Sequence, residues 1–359
     1  MEATEIRQAR TWAERESCLM FWSSVFPEDA SYFAERLAAE ADCGLETTWL
    51  ALVDGQMVSA AQVFPYWARL GKASVRMGGI GNVATRPDYR GRGLARAILN
   101  AQIHWMSENG FAVSALYTGI PDFYEALGWR IAPREMLVVE GPALATLAAE
   151  PSAPYEVNPY RASDAEEVCR LYEAFNAGRP GSRIRELPYA QASFDRTVRR
   201  GTFLLARRNG RLAGYVRAVP GPEKTVRVCE LCYAEGEESA APCLVQQLAR
   251  RSEGLERLEI GVPADHHLWA WVSRGMAAVK PMNDVMCRIV DPVRLMAAWR
   301  ESGFGDTVTD SSDDTAALAA LLLAGARPSH GCAAGGALRM AELRAISACP
   351  PMLWESDAY

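Results

Sequence analysis

Histidine is scarce in this chain: four in 359 residues, at His104, His266, His267 and His330, with no metal-ligand spacing. A structural zinc site needs four convergent ligands, so no metal is predicted. Nine cysteines, an odd number, are scattered from Cys18 to Cys349. Free buried thiols in a reducing compartment are expected, and no disulfide framework. Cys229 and Cys232 spell CxxC, but they stand in a strand-like run with no second pair. Positive charge is also short: 38 Lys and Arg against 44 Asp and Glu leave a net charge of -6. That balance provides no field to neutralise a phosphate backbone, and no nucleic-acid partner is expected. The longest apolar run, around Leu318 to Ala324, is far below a membrane span. The opening Met1 to Arg7 lacks the apolar core of a signal peptide. A cytoplasmic protein with no membrane partner is the expectation.

What is present suits a globular protein: 49% hydrophobic and 23% charged residues are enough to bury large cores. At this length two or three compact units are expected. Helical patterns at about 13–25 and 29–40 precede a hairpin signal, two apolar runs around Asp54-Gly55. A third strand at 74–85 leads through Pro87-Asp88-Tyr89 into a helix at about 93–108. A strand from Ala112 to Tyr117, a short helix near 121–127 and an extended segment from Trp129 to Val139 follow. Gly141-Pro142 and Pro151 to Pro154 mark a linker at 141–155. The pattern then begins again: a helix at 163–176, a hairpin around Asn209-Gly210, a strand at 226–233 and a helix at 240–252. A strand at 256–260, a short helix at 265–274 and an extended run to Val290 complete this degenerate repeat. Residues 291–359 hold helical patterns near 292–301, 313–324 and 337–346.

The stretch from Gly78 to Leu99 carries the most chemistry. A strand runs into a small, basic, glycine-rich turn and then into an amphipathic helix. Such a turn aims several backbone N–H groups and the positive helix end at one point, which suits an anion. A Gly-Lys-Ser/Thr sequence is missing, so a nucleotide P-loop is out. No parallel strand-helix-strand opening with a downstream acid is present, so a dinucleotide fingerprint is out as well. Arg90-x-x-Gly93-x-Ala95 resembles the pyrophosphate loop of the GNAT superfamily of N-acetyltransferases. By that resemblance Arg90, Gly91, Arg92, Gly93, Leu94, Ala95 and Arg96 hold the pyrophosphate of acetyl-CoA. Val83, Ala84 and Thr85 would pair their backbone with the pantetheine arm, and the nearby Gly119 belongs to the same coenzyme site. A second stretch, Leu116 to Trp129, is similar to the GNAT segment Phe-Tyr-x-x-x-Gly-Phe/Trp. In that family the tyrosine protonates the departing thiolate; Tyr124 stands at this position. Read alone, Tyr124 is better explained by packing on Phe123 and Trp129. The first unit offers no obvious His or Glu base.

Taken whole, the chain resembles the Eis (enhanced intracellular survival) acetyltransferases. The resemblance implies an α/β (α+β) architecture of tandem GNAT folds with central mixed sheets. It divides the chain into a catalytic domain at 1–140, a degenerate GNAT-like domain at 155–290, and a shortened region at 291–359 resembling sterol carrier proteins (SCP2-like). It further implies acetyl transfer from acetyl-CoA to a primary amine of a small, polycationic, aminoglycoside-like acceptor, and a homo-oligomer, a hexamer in that family. The chain's own C-terminal carboxylate, here that of Tyr359, would act as base. Glu28, Asp29, Glu355 and Asp357 are the acids that would line a cationic acceptor's pocket. In the second unit the loop position reads Ala234-Glu235-Gly236-Glu237-Glu238-Ser239-Ala240-Ala241, whose three carboxylates would repel a pyrophosphate. Two alternatives remain at this point: a non-catalytic acyl-CoA-binding scaffold or sensor, and a tandem GNAT that acetylates a thiol precursor.

Overall fold

The computed structural model describes residues 3–149 and 154–303. The helical patterns expected near 313–324 and 337–346, the SCP2-like region past 303, and the tail with Tyr359 lie outside the described residues.

The first half of the chain runs β1 (Thr4–Gln8), α1 (Trp12–Ser23), α2 (Ala30–Ala39), β2 (Thr48–Val53), β3 (Gln56–Leu70), β4 (Ala73–Thr85), α3 (Leu94–Glu108), β5 (Val113–Tyr117), α4 (Pro121–Glu125), β6 (Arg130–Ile131) and β7 (Arg134–Glu140). The second half begins with α5 (Gly141–Ala149), β8 (Glu156–Pro159), α6 (Ala165–Asn176), β9 (Arg183–Ile184), α7 (Leu187–Arg200), β10 (Thr202–Arg208) and β11 (Arg211–Pro220). It continues with β12 (Thr225–Tyr233), α8 (Ala240–Arg251), β13 (Arg257–Ile260), α9 (Ala270–Ser273), β14 (Ala278–Met282), β15 (Val285–Ile289) and α10 (Pro292–Glu301).

Local chemistry accounts for many of these boundaries. Asp29 caps α2 by accepting from Tyr32 N at 3.0 Å, satisfying one of the orphan donors of the first turn. In the β2–β3 hairpin Asp54 and Gly55 have φ of 49° and 77°, and in the β10–β11 hairpin Asn209 and Gly210 have 51° and 76°. Both are two-residue turns of the left-handed kind that matches strand twist. Two helices depart from the sequence expectation. The expected linker contains α5, an alanine-rich segment whose Leu144 and Leu147 bury into the second core. Helix α7 had no counterpart in the sequence reading; Tyr189, Ala190, Ser193, Phe194 and Thr197 form its buried face at helical spacing.

Two sheets organise the molecule. The first has the order β1-β2-β3-β4-β5-β15-β6, with β9 pairing β3; the second has the order β14-β7-β13-β12-β11-β10-β8. Chain order and sheet membership part at three places, one of them β9, which leaves the second half to pair with β3 of the first sheet. After β6 the chain crosses into the second sheet, where β7 lies between β13 and β14. Near its end it returns, and β15 inserts between β5 and β6 of the first sheet. Neither sheet is a continuous piece of sequence, so each half completes the other. Helix α10 follows β15 back and buries Leu295, Met296 and Trp299 against Leu70, Val75 and Met77 of the first sheet. A buried ion pair between Arg183 and Glu40 and a bidentate pair between Arg134 and Asp284 at 2.9 and 2.7 Å tie the halves together.

Candidate active site

The site begins where β4 and β5 part. Their parallel pairing covers Met77 to Gly79 against Val113 to Ala115 and stops there, although β4 continues to Thr85 and β5 to Tyr117. On the far side β4 stays hydrogen-bonded to β3, but with a bulge: Asn82 and Val83 oppose the single residue Ala61. Asn82 takes φ of 54° there, and such a bulge re-aims the backbone. From Ile80 to Thr85 the β4 edge facing β5 is therefore open for an extended ligand.

Beyond Thr85 the turn reaches α3. Gly91 and Gly93 have φ of 76° and 77°, a region that side-chain-bearing residues enter at a cost of about 1–2 kcal/mol. A Cβ added at either would meet nothing within 4 Å, so the requirement is conformational and not one of space. Gly93 is the N-cap of α3 and supplies no side-chain cap. Among the described residues, the N–H groups of Gly93, Leu94, Ala95 and Arg96 find no acceptor. Orphan donors on a positive helix end, with arginines at 90, 92 and 96 around them, form a site for an anion. The turn is itself held by Arg90 donating to Thr85 O at 3.3 Å and by Arg92 lying 4.6 Å over the Tyr89 ring.

A cavity of about 750 Å³ joins this loop to α4. The structure brings Val83, Ala84, Thr85, Arg90, Gly91, Gly93, Leu94, Ala95, Arg96 and Tyr124 to its wall. Arg92 and Gly119 are not on that wall, and Tyr359 lies outside the described residues. Val25, Phe26, Tyr89, Ile120 and Phe123 complete the lining and were missed in the sequence. Apolar residues of the α1–α2 connection carry no motif, and only folding places them here. Tyr124 is 7% exposed, held edge-on between Phe123 at 5.0 Å and Trp129 at 6.0 Å. Its hydroxyl makes no hydrogen bond with the described residues. Burial pushes the phenol up to about 12, so it holds its proton through the neutral range. A packed ring with an uncommitted hydroxyl at a cavity is arranged for proton donation.

The corresponding turn of the second half is built differently. Glu237 accepts from the Tyr155 hydroxyl at 2.6 Å and pairs with Arg208 at 3.1 Å. Ala240 N and Ala241 N donate to Glu237 O and Glu238 O at 2.9 and 3.2 Å, which uses up donors at the start of α8. Charge and hydrogen bonding both leave no place for an anion. The two cysteines of the CxxC point to different surroundings: Cys229 lines a cleft between the halves, whereas Cys232 belongs to the second core. Among the described residues no cluster of His, Cys, Asp or Glu is placed to hold a metal, and no helix is long and apolar enough to cross a membrane.

Residues 5–132 match the family model for the acetyltransferase (GNAT) domain, and the match ends where the chain leaves the first sheet. Among curated proteins, none matches the sequence. Solved structures with similar folds include a GCN5-related N-acetyltransferase from Anabaena variabilis ATCC 29413, 16% identical with a TM-score of 0.66 over 82% of this chain and 75% of that one. A probable N-acyltransferase from Enterococcus faecalis V583 is 20% identical, with a TM-score of 0.66 over 82% of this chain and 74% of that one. Eis1 from Mycobacterium abscessus is 19% identical, with a TM-score of 0.59 over 82% of this chain and 76% of that one. At such identities the likenesses speak for the fold, and the family model together with the loop and Tyr124 speaks for the chemistry. Residues 5–132 thus carry an acetyltransferase (GNAT) domain.

Proposed function

We propose that the protein transfers the acetyl group of acetyl-CoA to a primary amine of a small acceptor. The observation that carries this reading is the single cavity shared by the uncapped, glycine-flanked start of α3 and the hydroxyl of Tyr124. Acetyl-CoA brings a thioester that an amine attacks; the chain's own residues bind, orient and move protons. The N–H groups from Gly93 to Arg96 receive the pyrophosphate, and the open β4 edge from Val83 to Thr85 receives the pantetheine arm. Backbone N–H near Val83, turned by the bulge, supplies the oxyanion donor, a role worth about 3–4 kcal/mol where one such donor has been removed from an enzyme. Tyr124 gives its proton to the leaving sulfur. With a phenol near 12 it is a weak acid in bulk terms, but a thiolate formed beside it is a sufficient base.

The amine must lose a proton. No His or Glu of the described residues lines this cavity, which is why the terminal carboxylate of Tyr359 is proposed as base. Assignment of a polycationic acceptor rests on the family resemblance alone. Asp29, one of the acids invoked for it, is already engaged as the cap of α2. A homo-oligomer, hexameric by the same resemblance, is proposed on that ground and would be read by sedimentation. The experiment for the activity itself is a thiol-release assay with acetyl-CoA and a panel of amines, with calorimetric titration of acetyl-CoA alongside. Binding with no thiol release across the panel would instead favour an acyl-CoA sensor.

A further inference from the structure

A second cavity, of about 340 Å³, lies where α2 and the end of β5 meet α7 and strands β7, β11 and β12. Its wall carries six arginines, Arg36, Arg134, Arg196, Arg200, Arg217 and Arg227, and one carboxylate, Asp284. Such a concentration of one sign stands against the chain's net charge of -6 and needs an explanation at the cleft itself.

Three of these arginines meet carboxylates directly. Arg134 is bound by Asp284 at 2.9 and 2.7 Å, Arg227 by Glu259 at 2.8 Å, and Arg217 by Glu230 at 3.4 Å. Two of these carboxylates are shared with further cations, Glu259 with Lys280 at 2.7 Å and Glu230 with Arg185 at 2.5 Å. Arg36 donates to the Tyr32 hydroxyl at 3.1 Å and lies 4.9 Å over the Phe64 ring; Arg200 lies 4.7 Å over the Tyr32 ring. Both guanidinium groups are thereby held in place at the cleft wall. Arg196 makes no hydrogen bond or ion pair with the described residues. Burial lowers its pKa, and beyond a partial offset from Tyr189 the neighbouring Arg36 and Arg217 add repulsion. A desolvated guanidinium among like charges is costly to keep unless an anion joins it.

The cleft adjoins the transfer site along two elements. Tyr32 and Arg36 of α2 line it, while Val25 and Phe26, just before α2, line the other cavity. Tyr117 lines it, while Ile120, Phe123 and Tyr124, a few residues on, line the other. Asp284 closes the seam, its carbonyl accepting from Thr118 N at 2.8 Å.

We propose that this arginine cleft is the acceptor subsite and holds an anionic oxygen group, a carboxylate or a phosphate, so that the acceptor is an amine carrying such a group; this rests on the acetyl transfer proposed above. Planar guanidinium forks match both groups with paired hydrogen bonds. Its sign is opposite to that expected for a polycationic acceptor.

The test uses the full chain and two readouts. In thiol release with acetyl-CoA, an amine bearing a carboxylate, its phosphate counterpart and the neutral methyl ester are compared, with a polyamine as the cationic control. One anionic acceptor should show a KM lower than the ester's by about tenfold or more. R196Q should erase that difference while leaving the KM for acetyl-CoA unchanged, and R196K should restore part of it. The preferred acceptor tells carboxylate from phosphate. Independently, calorimetry with succinate and with inorganic phosphate should find one that binds wild type and binds R196Q about tenfold more weakly. R200Q, at an exposed position, repeats the measurement should R196Q fail to fold. Neither anion binding wild type, or both variants binding as wild type does, overturns the cleft assignment. Arginine-dependent anion binding without thiol release from any amine keeps the anion subsite and sinks acetyl transfer. Thiol release that favours the ester or the polyamine does the reverse.

Discussion

The turn before α3 and the turn before α8 occupy equivalent places in two similar halves, yet only one is built for an anion. At Gly93 the helix starts without a side-chain cap and its first N–H groups find no acceptor among the described residues. At Ser239 the helix also starts without a side-chain cap, but its donors turn back onto Glu237 O and Glu238 O. The Glu237 carboxylate is itself tied to Tyr155 and Arg208. A shared topology fixes where a helix N-terminus points. What it binds is set by whether the chain has already spent those donors and by the sign of the charge beside them.

The largest effect should come from making the first turn resemble the second. Gly93→Glu places a carboxylate where a pyrophosphate is proposed, a repulsion on the order of a few kcal/mol at short range even with strong screening. Acetyl-CoA binding should be lost in calorimetric titration while circular dichroism stays native, since a Cβ there meets nothing. Gly93→Ala adds only left-handed strain of about 1–2 kcal/mol and should weaken affinity far less. Equal affinities for wild type and Gly93→Glu would remove the loop from the coenzyme site.

Tyr124→Phe deletes one proton donor and almost no volume. Turnover should fall by about 10²–10⁴ with acetyl-CoA affinity unchanged, measured by steady-state thiol release and calorimetry together. The pH profile carries a second check. A phenol raised to about 12 stays protonated below that value, so loss of the acid should cause no fall in kcat between pH 7 and 10; a fall there that vanishes in Tyr124→Phe would place the phenol's pKa much lower.

Extending the chain past Tyr359 moves its carboxylate without changing any side chain. Activity should drop by about tenfold or more in a C-terminally tagged form and recover when every added residue is removed, whereas an N-terminal tag should be harmless. The same activity with either tag would leave the amine's proton to another group. The smallest effect belongs to Glu237→Ala, which removes a charge from the second turn and one partner each from Arg208 and Tyr155. Acetyl-CoA stoichiometry should stay at one per chain; a second bound coenzyme would show that charge alone separates the two turns.

Sequence order made much of the fold legible, because its signals are local. Asp54-Gly55 and Asn209-Gly210 dictate hairpins from the residues themselves, and the run from Gly78 to Leu99 announces strand, turn and helix in succession. Tyr124 was legible as a candidate for the same reason, standing in a short motif at fixed distance from Trp129. Helix α7 escaped because Pro188 and a scatter of arginines obscure its apolar face, which becomes clear only once Phe194 and Thr197 have a core to face. The helix in the expected linker escaped because Gly141-Pro142 reads as a break, although proline is tolerated in a first helical turn.

The sequence by itself determined the glycine-rich turn, the tyrosine proposed as proton donor and the acidic second loop, since each is a run of neighbours whose backbone and charge interact at short range. Tertiary structure decided the rest. The exchange of β7 and β15 between sheets depends on pairings between strands more than a hundred residues apart, for which no local signal exists. The arginine cleft draws residue 36 from one helix, 196 and 200 from another, and 134, 217 and 227 from three strands. A net charge of -6 averages over the whole surface, whereas a ligand responds to the field at one place, and only folding sets which charges share it.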